Sequence, residues 1–202
     1  MLNPDGVING NHRCSLAGQD LNRQWACPNA SLHPSIYHAK NLILYLRSLG
    51  KKPLVFCDYH GHSRKKNVFV YGNNPKWSWL KDDRSIPHHD EFYLLPEILE
   101  EAAAGFCLHY CSFQIQQGKE SSARVNIWRE IGVARAYTLE ASYGGFDRGV
   151  YSGFQVGTRE LMEMGEKMIE SLVLMREYMD CNRAPSKKFE SSNGDSDDSG
   201  MA

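Results

Sequence analysis

Pro53-Leu54-Val55-Phe56-Cys57-Asp58-Tyr59-His60-Gly61-His62-Ser63 decides how this chain is read. Leu54 to Phe56 form an apolar run behind a proline, which predicts a buried strand that breaks at Gly61 and delivers polar side chains at its end. Alternation along a strand places Asp58, His60 and His62 on one face and turns Tyr59 to the other. Two imidazoles and a carboxylate at a strand end suit metal binding or proton transfer. A loop with two hydrogen-bonded histidines accounts for the same residues equally well.

Working outward, Pro34 to Leu49 reads as an amphipathic helix. Ile36, Ala39, Leu42, Ile43, Leu46 and Leu49 fall on one stripe, Pro34 suits the first turn and Gly50 the stop. On the other side, Asn67 to Tyr71 is a second strand, and Lys76 to Asp90 reads as a long surface loop. The pair His88-His89 within it is more commonly solvated than metal-bound. Pro96 to Phe106 reads as a helix, Ser112 to Gln116 as a short strand, and Ser122 to Ile131 as a helix stopped by Gly132. Ala134 to Glu140 is a strand with Ala136, Thr138 and Glu140 on one face. Thr158 caps a long helix to Met179, with Leu161, Met164, Met168, Leu172 and Met175 on its apolar side. Strands alternating with helices predict an α/β layered domain, whose sites lie beyond the strand ends. Two strands end in ionisable residues followed by glycine, at His60-Gly61 and at Glu140 before Gly144-Gly145.

The first thirty residues lack periodicity and are rich in turn formers: Asn3-Pro4-Asp5-Gly6, then Gly10 to Cys14, then Gly18 to Trp25. Nothing precedes this loop that could bury a face, so the natural domain is expected to begin further upstream. From Ala184 onward the chain is Ser, Gly, Asp and Lys with almost no hydrophobes, and disorder is expected there. The expected division is therefore a domain over residues 1–183 and a tail over 184–202.

With 202 residues, 42% of them hydrophobic and 23% charged, the chain is sized for one domain with a core. A net charge of -1 gives no case for nucleic acid or a membrane surface. No apolar run approaches the roughly 18 residues of a membrane span. The opening residues lack the basic start and apolar core of a signal peptide. The six cysteines form no paired CxxC pattern, so reduced thiols in the cytoplasm are the default.

Asn3-Pro4-Asp5-Gly6, Arg13, Asp20-Leu21-Asn22-Arg23, Asp58 to Ser63 and Tyr137-Thr138-Leu139-Glu140-Ala141-Ser142 occur in the order found in zinc metallocarboxypeptidases. Over about residues 1 to 175 the chain resembles that family, and in detail its cytosolic carboxypeptidase branch, the tubulin deglutamylase-like enzymes. The resemblance implies a partial carboxypeptidase-like mixed sheet flanked by helices. It implies His60 as the last zinc ligand and Glu140 as the general base that deprotonates the zinc-bound water. Arg13 would steady the oxyanion, and Asn22 with Arg23 would clamp the substrate's terminal carboxylate. Asp20 would orient an upstream histidine ligand, and Arg124 would face an acidic side chain. Zinc lowers the pKa of bound water toward about 7, a carboxylate relays the proton, and paired guanidinium groups read carboxylates. Each residue also has a plainer reading: Glu140 as a surface salt-bridge partner, Asn22-Arg23 as a turn, Arg13 as a tie to a loop carbonyl, and Arg124 as an exposed helix arginine.

The family's other two zinc ligands come from an upstream HxxE element, and this sequence contains none before His60. One ligand does not hold Zn²⁺ tightly. The expectation is an N-terminally truncated zinc carboxypeptidase of the cytoplasm, inactive or nearly so by itself. It would act on acidic C-terminal tails such as tubulin's, with microtubule or cilium association. A non-catalytic module that binds acidic tails is the alternative, and an aminoacylase-like relative of the same fold is a more remote one.

Overall fold

The computed structural model describes residues 1–11, 13–86 and 91–181. The helices are α1 (Pro4–Ile8), α2 (Pro34–Ser48), α3 (Glu91–Ala102), α4 (Ala123–Asn126) and α5 (Thr158–Asp180). The strands are β1 (Val55–His62), β2 (Val68–Tyr71) and β3 (Arg135–Ser142), in the order β1-β3-β2. β2 runs antiparallel to β3, with Phe69 opposite Glu140 and Tyr71 opposite Thr138. The Tyr143 N–H donates to the His62 carbonyl at 2.9 Å, so the C-terminal ends of β1 and β3 lie side by side and these two strands run parallel. The sheet is therefore mixed, as expected, and flanked by helices. The expected break at Gly61 does not occur: β1 continues through it to His62.

The chain divides into two compact units. The first holds Met1–Asp58, Gly72–His88 and Phe113–Tyr137; the second holds Tyr59–Tyr71, His89–Ser112 and the chain from Thr138.

In the first unit, Trp25, Ile36, Ile115, Val125, Ile127, Trp128, Ile131 and Ala136 form one buried cluster, with Phe56 packed against it. α2 gives it a narrower stripe than its sequence suggests. Ile36 is buried and Ile43 packs on the cluster, but Leu42 and Leu49 are exposed. The segment read as a helix from Ser122 is α4 followed by a π-helical turn over Ile127–Ile131. Gly132 ends it at φ 77°, in the left-handed region that glycine enters without steric cost. Arg47 and Lys52 cover that end, donating to the carbonyls of Glu130 and Gly132 at 2.7 Å each. The stretch expected to be a surface loop is instead anchored. Asp83 is 3% exposed and accepts from Arg129 at 2.9 and 2.5 Å and from Ser78 at 2.5 Å. His88 and His89 lie outside the described residues.

In the second unit α3 packs against α5. α3 starts at Glu91, not at Pro96, and carries that proline inside. The ring removes the hydrogen bond a residue there would give to the Phe92 carbonyl, and burial of Phe92, Leu95 and Leu99 holds the turn regardless. α5 is capped by Gly157, not Thr158: the Glu160 carboxylate reaches back to the Gly157 N–H at 3.0 Å. Met164, Met168 and Met175 are buried as the stripe predicted, whereas Leu161 is exposed. Ser112 makes an isolated bridge to Tyr71, and in the first unit Ile115 makes one to Ser78, so the segment read as a strand is extended but not a ladder. Asn67 sits at φ 59° and is buried; its side chain accepts from the backbone of Asp147 at 3.0 Å and donates to the Arg148 carbonyl at 3.2 Å. The tail from residue 184 lies outside the described residues.

Candidate active site

The motif residues fall into a cluster in each unit. In the first, the 3₁₀ turn Leu21–Arg23 is built on Asp20. One Asp20 carboxylate oxygen accepts from the Asn22 N–H at 2.9 Å, the capping bond an aspartate makes at a helix start. The other pairs with the Arg13 guanidinium at 2.9 Å. The Asn22 side-chain carbonyl accepts from the Ala123 N–H at 2.9 Å, where α4 begins. That bond fixes which way the amide points: its oxygen faces α4 and its NH₂ group faces the other way. Arg23 donates to the Asn22 carbonyl at 3.1 Å. Arg13, Asp20 and Asn22 are thus linked in one chain of contacts, and Arg23 adjoins it.

Arg124 follows on the same helix start and is 6% exposed. Its Nη1 donates to the Gly72 carbonyl and, at 2.8 Å, to the Asn73 side chain. Asn73 in turn donates to the Ala136 carbonyl at 3.1 Å. An exposed helix arginine, the plainer reading, is not what the structure holds.

Sequence reading passed over Lys40. It is 5% exposed, and its ammonium donates to the carbonyls of Trp25 at 2.7 Å and Ala26 at 3.1 Å and pairs with Glu130 at 2.6 Å. Three donors meet three acceptors, which is what a buried lysine requires. The signal was available. Positions 36, 40 and 43 share a helix face, so a lysine there interrupts the buried stripe.

In the second unit, His60 lies two residues before the end of β1, and Glu140 lies two before the end of β3. The two strands are neighbours whose ends meet, so both side chains belong to one rim of the sheet. They also share a face. Directly opposed residues point the same way, so Glu140 is on the face of Phe69. The His62 ring meets Phe69 edge-on at 5.2 Å, and alternation along β1 puts His60 on the side of His62. Glu140 is 1% exposed and His60 half-buried.

His62 is 4% exposed, and its Nδ1 accepts from the backbone N–H groups of Arg64 at 3.2 Å and Lys65 at 2.9 Å. That nitrogen is unprotonated and committed to the turn, so the ring carries its proton on Nε2. Gly61 is required because the Tyr143 ring lies over it, where a Cβ would collide with the ring carbons.

A metal ion is the group this fold family implies. Among the described residues no three His, Cys, Asp or Glu side chains gather to hold one. His60 supplies one donor, and a zinc centre takes three protein ligands or more. The described residues do not by themselves make a zinc site.

No protein-family model matches the chain. It is 56% identical over 181 residues to cytosolic carboxypeptidase 1 of Mus musculus and 54% identical over 183 residues to that of Danio rerio. Against cytosolic carboxypeptidase 4 of Mus musculus it is 51% identical over 180 residues. These matches take in 87 or 88% of this chain, which spans only 15 or 16% of the relatives' length. Solved metallo-carboxypeptidases from Burkholderia cenocepacia and Pseudomonas aeruginosa superpose with a TM-score of 0.69 at 21% and 22% identity. They cover 88% and 87% of this chain with 43% and 44% of their own, a likeness that shows the fold. By sequence the chain belongs to the cytosolic carboxypeptidases, corresponding to a part of their length, and its fold is that of solved metallo-carboxypeptidases.

Proposed function

We propose that this chain carries the substrate-binding and proton-transfer half of a carboxypeptidase that removes C-terminal residues, glutamate foremost, from acidic protein tails such as tubulin's. The observation that carries the reading is the linked set Arg13, Asp20, Asn22 and Arg23 in the first unit. Two guanidinium groups and an oriented amide in so short a stretch make a receptor for a carboxylate. Asn22 with Arg23 holds the terminal carboxylate, which restricts cleavage to the chain end. Arg13, braced by Asp20, donates to the oxyanion of the tetrahedral intermediate. Glu140 takes a proton from the attacking water and hands it to the leaving amine. Arg124, anchored by Gly72 and Asn73, would face an acidic side chain of the substrate. Zinc supplies Lewis acidity to such reactions when bound, and His60 would be one of its ligands. The cytoplasm, at microtubules or cilia, is where such substrates are met.

The scarcity of metal donors among the described residues favours a second reading, a module that binds acidic tails without cutting them. One experiment covers both. Peptides ending in glutamate, with the terminal carboxylate free or amidated, are offered to the chain and to Glu140→Gln with zinc present. Binding is followed by anisotropy and released glutamate by mass spectrometry. Release that disappears in Glu140→Gln while binding persists establishes the enzyme. Binding that needs the free carboxylate, with no release from either protein, establishes the module. Equal affinity for free and amidated peptides would overturn both.

A further inference from the structure

The basic run Arg64-Lys65-Lys66 follows β1, and the structure gives its members different surroundings. The two bonds from the backbone N–H groups of Arg64 and Lys65 to His62 wind the turn after β1 tightly. Lys65 turns inward. Its ammonium lies over the rings of Phe69 at 5.2 Å and Tyr71 at 5.5 Å and reaches the Tyr110 carbonyl at 3.4 Å. Arg64 and Lys66, on either side, are exposed. The Lys66 ammonium lies against Gly144, where a Cβ would come within 2.5 Å of it. Beside that glycine Tyr143 is 63% exposed, its ring close against the backbone of Gly61. A tyrosine so exposed buries little of its own surface, and the glycine beneath it is the price of keeping the ring there. The neighbouring acid, Asp147, is engaged by the Tyr110 hydroxyl at 2.8 Å.

These groups stand at the joined ends of β1 and β3, three residues past Glu140 and a few past His60. We propose that Lys66 and Tyr143, with Arg64 beside them, form a subsite for an acidic side chain of the substrate. The ammonium pairs with the carboxylate, while the phenol ring packs along the methylenes that carry it. This deepens the reading above and rests on it: the terminal clamp reads where the chain ends, and this rim reads that the tail is acidic.

Two labelled peptides test it by fluorescence anisotropy with the whole chain. One ends in a run of glutamates; the other has a single terminal glutamate after glycine and serine. Lys66→Gln is expected to weaken the first by about two- to fivefold, the range set by an exposed ion pair, and to leave the second unchanged. Added salt should shrink that difference. Tyr143→Ala should likewise affect the first peptide alone, and Arg23→Gln should weaken both. Circular dichroism confirms that each variant folds. If Lys66→Gln and Tyr143→Ala alter neither peptide, or alter both equally, while Arg23→Gln weakens both, the subsite is refuted and the carboxypeptidase reading stands. If Arg23→Gln alters neither, or the unmodified chain binds neither, that reading fails and the subsite falls with it.

Discussion

Asp83 is the residue on which an apparently loose stretch of chain depends. Its carboxylate is buried, takes two bonds from Arg129 and a third from Ser78. A guanidinium and a carboxylate meeting fork to fork are costly to desolvate and costlier to separate. Asp83→Asn keeps the shape and removes the charge, leaving Arg129 with a neutral partner. A loss of about 3 kcal/mol is expected, because one partner of a largely buried pair is removed while Arg129 stays partly exposed. Urea unfolding checks it, and a loss under about 0.5 kcal/mol, the level of an ordinary surface change, would mean this stretch is held by other contacts. The sequence hid this anchor because Asp83 and Arg129 are far apart in the chain and belong to no periodic pattern. The motif residues were legible for the opposite reason. Asn22, Arg23, His60 and Glu140 sit at turns or strand ends, where glycine, proline and polar residues announce local geometry. Their partners were not legible: nothing in Asp20-Leu21-Asn22-Arg23 says that Asp20 braces Arg13 or that Asn22 faces Ala123.

At the scale of elements, periodicity located the helices and strands, and packing then moved their ends. α3 runs back past Pro96 because its apolar residues outweigh one missing hydrogen bond. β1 runs on past Gly61 because His62 stays in the ladder and Tyr143 covers the glycine. α2 carries the clearest element-level prediction. Lys40→Met keeps the length of the side chain but strips the Trp25 and Ala26 carbonyls and Glu130 of their donor. About 2 kcal/mol of stability should go, within the range for hydrogen bonds to a charged group. Lys40→Arg, too bulky for the site but still charged, should recover only part of it. Equal stability of all three proteins in urea would show that those carbonyls are satisfied in some other way. The segment beside β2 responds to pH. Burial pushes the Cys111 thiol far up, and the Cys107 thiol up as well. A thiol with a raised folded pKa gives stability that is fully present below its unfolded value, about 8.5, and lost as pH rises beyond it. Stability should therefore fall above about pH 8.5, at up to roughly 1.4 kcal/mol per pH unit for each thiol. Burial also raises Tyr110, which adds to the slope at still higher pH. Cys111→Ala should flatten the fall, and a slope identical to that of the parent chain would contradict the buried-thiol account.

For the molecule as a whole, the donor set and the fold pull in different directions, and metal content decides between them. The fold is that of solved metallo-carboxypeptidases, and the relatives are cytosolic carboxypeptidases. In the described residues, however, one imidazole and one buried carboxylate share a rim of the sheet, and a neighbouring imidazole has given its Nδ1 to the backbone. Zinc held by a single neutral nitrogen keeps most of its waters and exchanges freely, since tight sites owe their affinity to three or four simultaneous bonds. The chain loaded with zinc and dialysed extensively should retain well under one ion, measured by atomic absorption. Its thermal midpoint should be unmoved by added zinc or by a chelator, because a ligand that binds the folded state weakly stabilises it little. His60→Ala should then leave both measurements as they were. The opposite outcome has a definite meaning. One retained zinc per chain, lost in His60→Ala, would require donors from the residues outside the described set, where His12, His88 and His89 lie. That result would move the carboxypeptidase reading of this chain from half a catalytic site to a whole one.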